Sequence, residues 1–354
     1  QGVSSAASDV YKRQTLQSIS AFCIVLLLAS CSGNTSENTK TAAKDTTAHA
    51  KWVNPNRNKI WSKVNIVQIP LTAMENHILG PVKSVTYVDY KISDKDGSKV
   101  LDDSGYNVYD KAGHLVDQNE YGKDGNLKWK CIYKYNDKNL ATEWGFQFYY
   151  RRDASRTTFR YDDKGRKVED STFNKERKFD TRTVYTYDDK GNELSDTTYD
   201  AKGKITGITQ YKYDEKGNQT EWISRKGDGK LSWRLTCRYD NNGNKISGAS
   251  YHSDSAADGN WAELSDSKGR MTERKSYKKD GNVQSITRYK YDDWDNIIED
   301  ISYKADGSMD TTGWNTYTEY QYDNRGNATK ETWYKLKNGK KVVTDISEKT
   351  YEYY

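Results

Sequence analysis

The chain has 354 residues, of which 34% are hydrophobic and 30% charged, with a mean hydropathy of −1.06 and a formal net charge of +5. A compact globule of this length carries more Leu, Ile and Val, and a disordered chain lacks aromatics, yet here 29 Tyr lift the aromatic share to 13% and there are only three Pro. Lys and Asp alternate along the same segments, which excludes the clustered basic footprint of a nucleic-acid binder; abundant Tyr, Thr, Trp and Gly point to strands and tight turns.

Residues 1–14, beginning Gln1-Gly2-Val3, read as a non-native leader. Residues 15–31 read as a signal peptide. Their apolar run, Ala21 to Ala29, is too short to span a bilayer and fits the central region of an export signal. It ends in Leu28-Ala29-Ser30-Cys31, which resembles the lipobox of bacterial lipoproteins. That resemblance implies lipidation of Cys31 and an outer-membrane lipoprotein facing the periplasm or the outside. Residues 32–50 are polar and read as a flexible tether. Residues 51–82, with Trp52, Trp61, Ile66 and Val67, are expected to form an N-terminal cap.

From residue 83 to 354 the sequence repeats. Tyr109, Tyr135, Tyr161, Tyr187, Tyr213, Tyr239 and Tyr291 lie on one 26-residue ruler, which only Ser265 breaks. Most are followed by a turn such as Asp162-Asp163-Lys164-Gly165 or Asp214-Glu215-Lys216-Gly217. The Asp can accept the amide two residues on, and the Gly supplies a left-handed backbone position. A second turn follows twelve residues later, as in Tyr199-Asp200-Ala201-Lys202-Gly203. Between turns the pattern has period 2: Leu231, Trp233, Leu235, Cys237 and Tyr239 alternate with polar residues such as Arg234 and Arg238. This predicts half-buried antiparallel strands with one aromatic face.

The expected fold is therefore all-β. It is a long antiparallel meander of tandem 26-residue β-hairpin repeats, about 18 strands in all, forming a twisted, coiled sheet that is an open or partly closed shell. The face carrying the second Tyr row (Tyr121, Tyr199, Tyr251, Tyr277, Tyr303) depends on whether the turn loops hold an odd or even number of residues. The repeated Tyr-Asp-x-x-Gly-Asn and its Tyr-x-Tyr-Asp approach resemble the YD-repeat (Rhs-repeat-like) family. The resemblance covers about residues 83–354, in the manner of the shorter YD-repeat lipoproteins of Bacteroidetes-type bacteria. It implies a hollow shell or a surface protein that binds carbohydrate. The chain lacks the family's autoproteolytic core segment and has no toxin domain after Tyr354, so a complete toxin shell is not expected.

Catalytic motifs do not emerge. His49, His77, His114 and His252 have no metal-ligand spacing, and no nucleophile elbow or phosphate loop is present. No cofactor or metal is implied. Cys131 and Cys237 share the aromatic face about four units apart and are expected to be buried thiols rather than a disulfide. Trp129 and Trp233 share one repeat phase and Trp144 and Trp222 another. They fill the core face, or they form a ladder on which a glycan stacks. The sequence thus points to a non-catalytic cell-envelope module. Its expected partners are the membrane, through Cys31, and a glycan or envelope protein. The alternative is a structural scaffold or subunit of an envelope complex without a small ligand, and a glycan-active enzyme ranks third.

Overall fold

The structure is a computed structural model that describes residues 78–149, 153–252, 257–313 and 315–354. The leader, signal peptide, Cys31, tether and most of the cap lie outside them. Twenty strands follow one another in chain order: β1 (Val82–Ile92), β2 (Lys99–Tyr109), β3 (Leu115–Gly122), β4 (Leu127–Tyr135), β5 (Ala141–Phe148), β6 (Asp153–Tyr161) and β7 (Lys167–Phe173). Next come β8 (Phe179–Tyr187), β9 (Glu193–Asp200), β10 (Ile205–Tyr213), β11 (Gln219–Lys226), β12 (Leu231–Tyr239), β13 (Lys245–Tyr251) and β14 (Gly259–Ser265). The set ends with β15 (Met271–Tyr277), β16 (Val283–Tyr291), β17 (Ile297–Lys304), β18 (Thr316–Tyr322), β19 (Ala328–Lys337) and β20 (Lys340–Tyr353).

Each strand pairs antiparallel with the next, and β20 pairs with β1 through Val85↔Tyr351 and Tyr87↔Lys349. The meander is therefore closed: it is a 20-stranded barrel, not an open or partly closed shell. At ~4.8 Å per strand its wall is roughly 100 Å around.

The turns explain the repeat. In the β6–β7 hairpin the Asp162 amide donates to the Arg166 carbonyl at 2.9 Å, and the Gly165 amide donates back to the Asp162 carbonyl at 3.0 Å. Gly165 sits at φ +77°, the position that closes a three-residue hairpin loop. Asp162 Oδ1 accepts the amides of Lys164 and Arg166. In the turns at Asp188, Asp214 and Asp240 the second carboxylate oxygen takes the side-chain amide of Asn192, Asn218 or Asn244. That bond accounts for the Asn after the Gly.

Beside these loops the register slips by one residue, as at Arg160/Tyr161, Thr186/Tyr187 and Lys212/Tyr213. Such bulges add right-handed twist and bend the strand. Repeated round the sheet, they give it the curvature to close.

The tyrosine ruler has a bonding role. The hydroxyls of Tyr135, Tyr161, Tyr187, Tyr239 and Tyr291 donate to the carbonyls of Leu115, Ala141, Lys167, Gln219 and Met271, each twenty residues earlier. Each Tyr thereby ties the end of its own strand to the start of the strand before it. Tyr213 departs from this pattern, because its hydroxyl is buried without a partner. Tyr239→Phe should accordingly cost about 1 kcal/mol in urea unfolding, and Tyr213→Phe should be neutral or stabilising. Equal losses in both would refute this reading of the ruler.

Pairing fixes the two faces. Tyr133, opposite Trp144, and Cys131, opposite Phe146, lie on one face with Tyr211 and Cys237; all but Trp144 are buried. The other face carries Lys134, Arg160, Lys212 and Lys290, whose side chains are 63–71% exposed. In a single closed sheet the crowded face is the concave one, so the aromatic face lines the interior. The second Tyr row is outside. Three of its members lie under arginines of neighbouring strands: Arg182 over Tyr199 at 5.1 Å, Arg234 over Tyr251 at 5.0 Å and Arg288 over Tyr303 at 4.6 Å. Cys131 and Cys237 are buried thiols, not joined to each other.

Candidate functional site

The barrel wall is built from charge ladders. On the outer face Glu221 takes Lys212 at 2.6 Å from one neighbouring strand and Arg234 at 2.6 Å from the other. Glu143 does the same with Lys134 and Arg156, and these pairs hold both carboxylates below the usual carboxylate range, against the opposing effect of burial. Ile132, Leu194 and Leu264 are exposed apolar residues on this face, set among polar and charged neighbours. A wall that faces lipid needs an apolar band roughly 25 Å tall. The described outer surface presents ladders of Lys, Arg and Glu instead.

The interior holds two places of interest. The first is polar. Glu193 is completely buried, and neither carboxylate oxygen has a hydrogen-bond partner. Burial, with the Asp196 charge beside it, pushes its pKa up to about 9. Close by, Tyr211 donates to Asp196 at 2.9 Å, while Tyr185 donates to Asp170 and Lys167 reaches Tyr185 at 2.9 Å. Glu193 occupies the first inward position after its turn, where Leu115 and Ala141 stand in other units.

The second is a cavity of about 700 Å³ on the inner side of β12–β17. The break in the repeat lies on its wall: Ser265 stands where the ruler calls for Tyr, and Ser265 lines the cavity. Around it lie Trp233, Trp261, Glu263, Arg274 and Tyr291. Trp261 is 8% exposed. Its indole lies across the backbone of Gly248, where a Cβ would come within 2.2 Å of the ring. Arg274 covers Trp261 at 5.1 Å and meets Glu263 at 3.7 Å. Burial raises the Glu263 carboxyl above its ordinary range, against the opposing influence of Lys245 and Arg274. Arg270 is held by Asp266 and Asp295, both at 2.6 Å, and stacks on Tyr291 at 4.6 Å.

The structure places the four tryptophans singled out from sequence on the inner face. Trp129 and Trp144 pack with Phe146 against the cluster of Val82, Val85, Tyr109 and Tyr133. Trp222 lies opposite Tyr211, with its indole nitrogen buried and unpartnered. Trp233 alone of the four lines the cavity, edge-on to His252 at 4.4 Å. Trp261 and Arg274 were not singled out. The break at Ser265 was the signal that could have found them.

His114 and His252 each serve a local turn, bonded to Asp110 and Asp258 at 3.0 Å. Among the described residues no group of three or more His, Cys, Asp or Glu could hold a metal ion.

No family model and no curated protein matches the chain. Solved structures do. A porin-like protein from Bacteroides uniformis matches at 16% identity, over 77% of this chain and 99% of that one, with a TM-score of 0.35. A second porin-like protein, from Bacteroides vulgatus, matches at 11% identity, over 77% and 98%, with a TM-score of 0.27. The TcdB2–TccC3 complex matches at 12% identity, over 73% of this chain but 19% of that one, with a TM-score of 0.29. The assignment to the YD-repeat or Rhs-repeat family is corrected by the closure of the sheet, which joins β1 to β20 in a barrel. The repeated Tyr-Asp turn marks the hairpin geometry and not that family.

Proposed function

We propose that this chain is a barrel-shaped envelope protein acting as a structural scaffold, or as a subunit of an envelope complex. In this reading a lipid on Cys31 and the tether of residues 32–50 hold it at the outer membrane, and the barrel stands in the aqueous phase. The observation that carries it is the wall itself: a closed ring with no free strand edge between β1 and β20, sheathed in ladders such as Lys212–Glu221–Arg234. Closure removes the edges through which sheets aggregate. A charged outer face is costly to bury in lipid. The full chain carrying Cys31→Ser should therefore leave the membrane fraction without detergent, while the parent stays with it. Retention of the variant against carbonate extraction would mean that the wall itself spans the bilayer.

Recognition of a glycan at the interior aromatics is the second reading. It is favoured by one observation, that Trp233 stands on a cavity wall.

A further inference from the structure

We infer that the cavity at Ser265 is a binding site for an acidic saccharide, a sugar chain bearing carboxylates. The inference rests on the glycan reading and gives it a place and a chemical class.

One unit of the repeat departs from the others here. In the units on either side Tyr239 and Tyr291 occupy this inner position and bond back to the start of the preceding strand. Ser265 stands instead on the wall of a cavity of about 700 Å³, within the size range of small-molecule sites. The replacement removes a phenol ring and a hydrogen bond from that wall.

The lining has the composition that sugar recognition needs. Trp233 offers flat apolar surface with a polar edge, suited to the C–H face of a pyranose ring, while Arg274 and Arg270 cover Trp261 and Tyr291. Ser250 and Ser276 bring hydroxyls to the same wall. Charge then sets the class. Arg270 and Lys268 are already balanced by Asp266 and Asp295. Arg274 and Lys245 share one carboxylate, Glu263. The cavity therefore holds more positive than negative charge. Arg274 stacks on Trp261 and meets Glu263 only loosely, at 3.7 Å. A guanidinium so placed can turn its fork to an incoming carboxylate while the indole keeps its plane.

The test is a tryptophan-fluorescence titration of the full chain with oligogalacturonate and, in parallel, with a neutral cello-oligosaccharide. The expected result is a saturable change with oligogalacturonate and at least tenfold weaker response to the neutral chain. Ser265→Tyr restores the ruler and places a phenol ring inside the cavity. It should abolish the change while leaving the unfolding midpoint equal to the parent's or higher. Arg274→Gln should weaken binding at least tenfold. Equal binding of the neutral chain would overturn the acidic class and leave the glycan reading standing. No response to either saccharide would overturn both. Binding that survives in folded Ser265→Tyr protein would overturn the location.

Discussion

Glu193→Gln is expected to be more stable than the parent at pH 8, and by a margin that shrinks as the pH falls toward 5. Glu193 is fully buried, has no hydrogen-bond donor on either oxygen and is held protonated in the fold, with a pKa near 9 against an ordinary 4.5. Above about pH 4.5 the unfolded chain gives up this proton while the folded barrel keeps it. Folding must then take up a proton, and stability falls as the pH rises, by up to about 1.4 kcal/mol per unit, until the folded carboxyl ionises. Asp196, raised by the same burial, adds to the slope with the same sign. Gln carries no charge in either state and removes the Glu193 part of the slope. Urea unfolding at half-unit steps from pH 5 to 8.5 would show it. Profiles that run parallel in parent and variant would mean that Glu193 ionises in the fold.

The strands, the two turns per unit and the inward aromatic face were legible because each is a local property. Asp162, Gly165 and Asn192 act within five residues of their own turns. The face of the second Tyr row was not legible from period 2 alone. It required knowing that a three-residue loop and a bulge stand together at each turn, which sends Tyr199 and Tyr303 outward under Arg182 and Arg288.

Closure was hidden for a different reason. It is the sum of many small bends, and no single residue signals it. Nothing local in β1 or β20 marks the other as its neighbour, and only accumulated twist brings them together as partners. The cavity lay between these cases. Ser265 was visible as the break in the ruler, but the residues that gather round it come from several strands. The aromatic phases led instead to Trp129 and Trp144, which pack into the core cluster near the seam.

The seam offers a sharper trial, since it can be compared with an ordinary turn of the same sequence. Asn327 and Asn244 hold the same place after their turn glycines, and each bonds its own turn Asp. Asn327 does more. It is 1% exposed. Its side chain accepts the Leu79 amide at 2.6 Å and donates to the Leu79 carbonyl at 3.0 Å and the Tyr353 hydroxyl at 2.8 Å. It thus fastens the segment leading into β1 to the end of β20. Asn327→Ala would leave buried backbone groups unpaired at the seam and should cost about 2–3 kcal/mol, whereas Asn244→Ala should cost about 1 kcal/mol. At roughly 2–4 °C per kcal/mol, the two melting points would separate by several degrees. Partial opening between β1 and β20 would also expose two strand edges, so Asn327→Ala protein should self-associate on warming while Asn244→Ala protein stays monomeric. If the two variants lose the same stability and neither associates, the ring is held by its ladder of backbone bonds alone and the seam is no weaker than any other pair of strands.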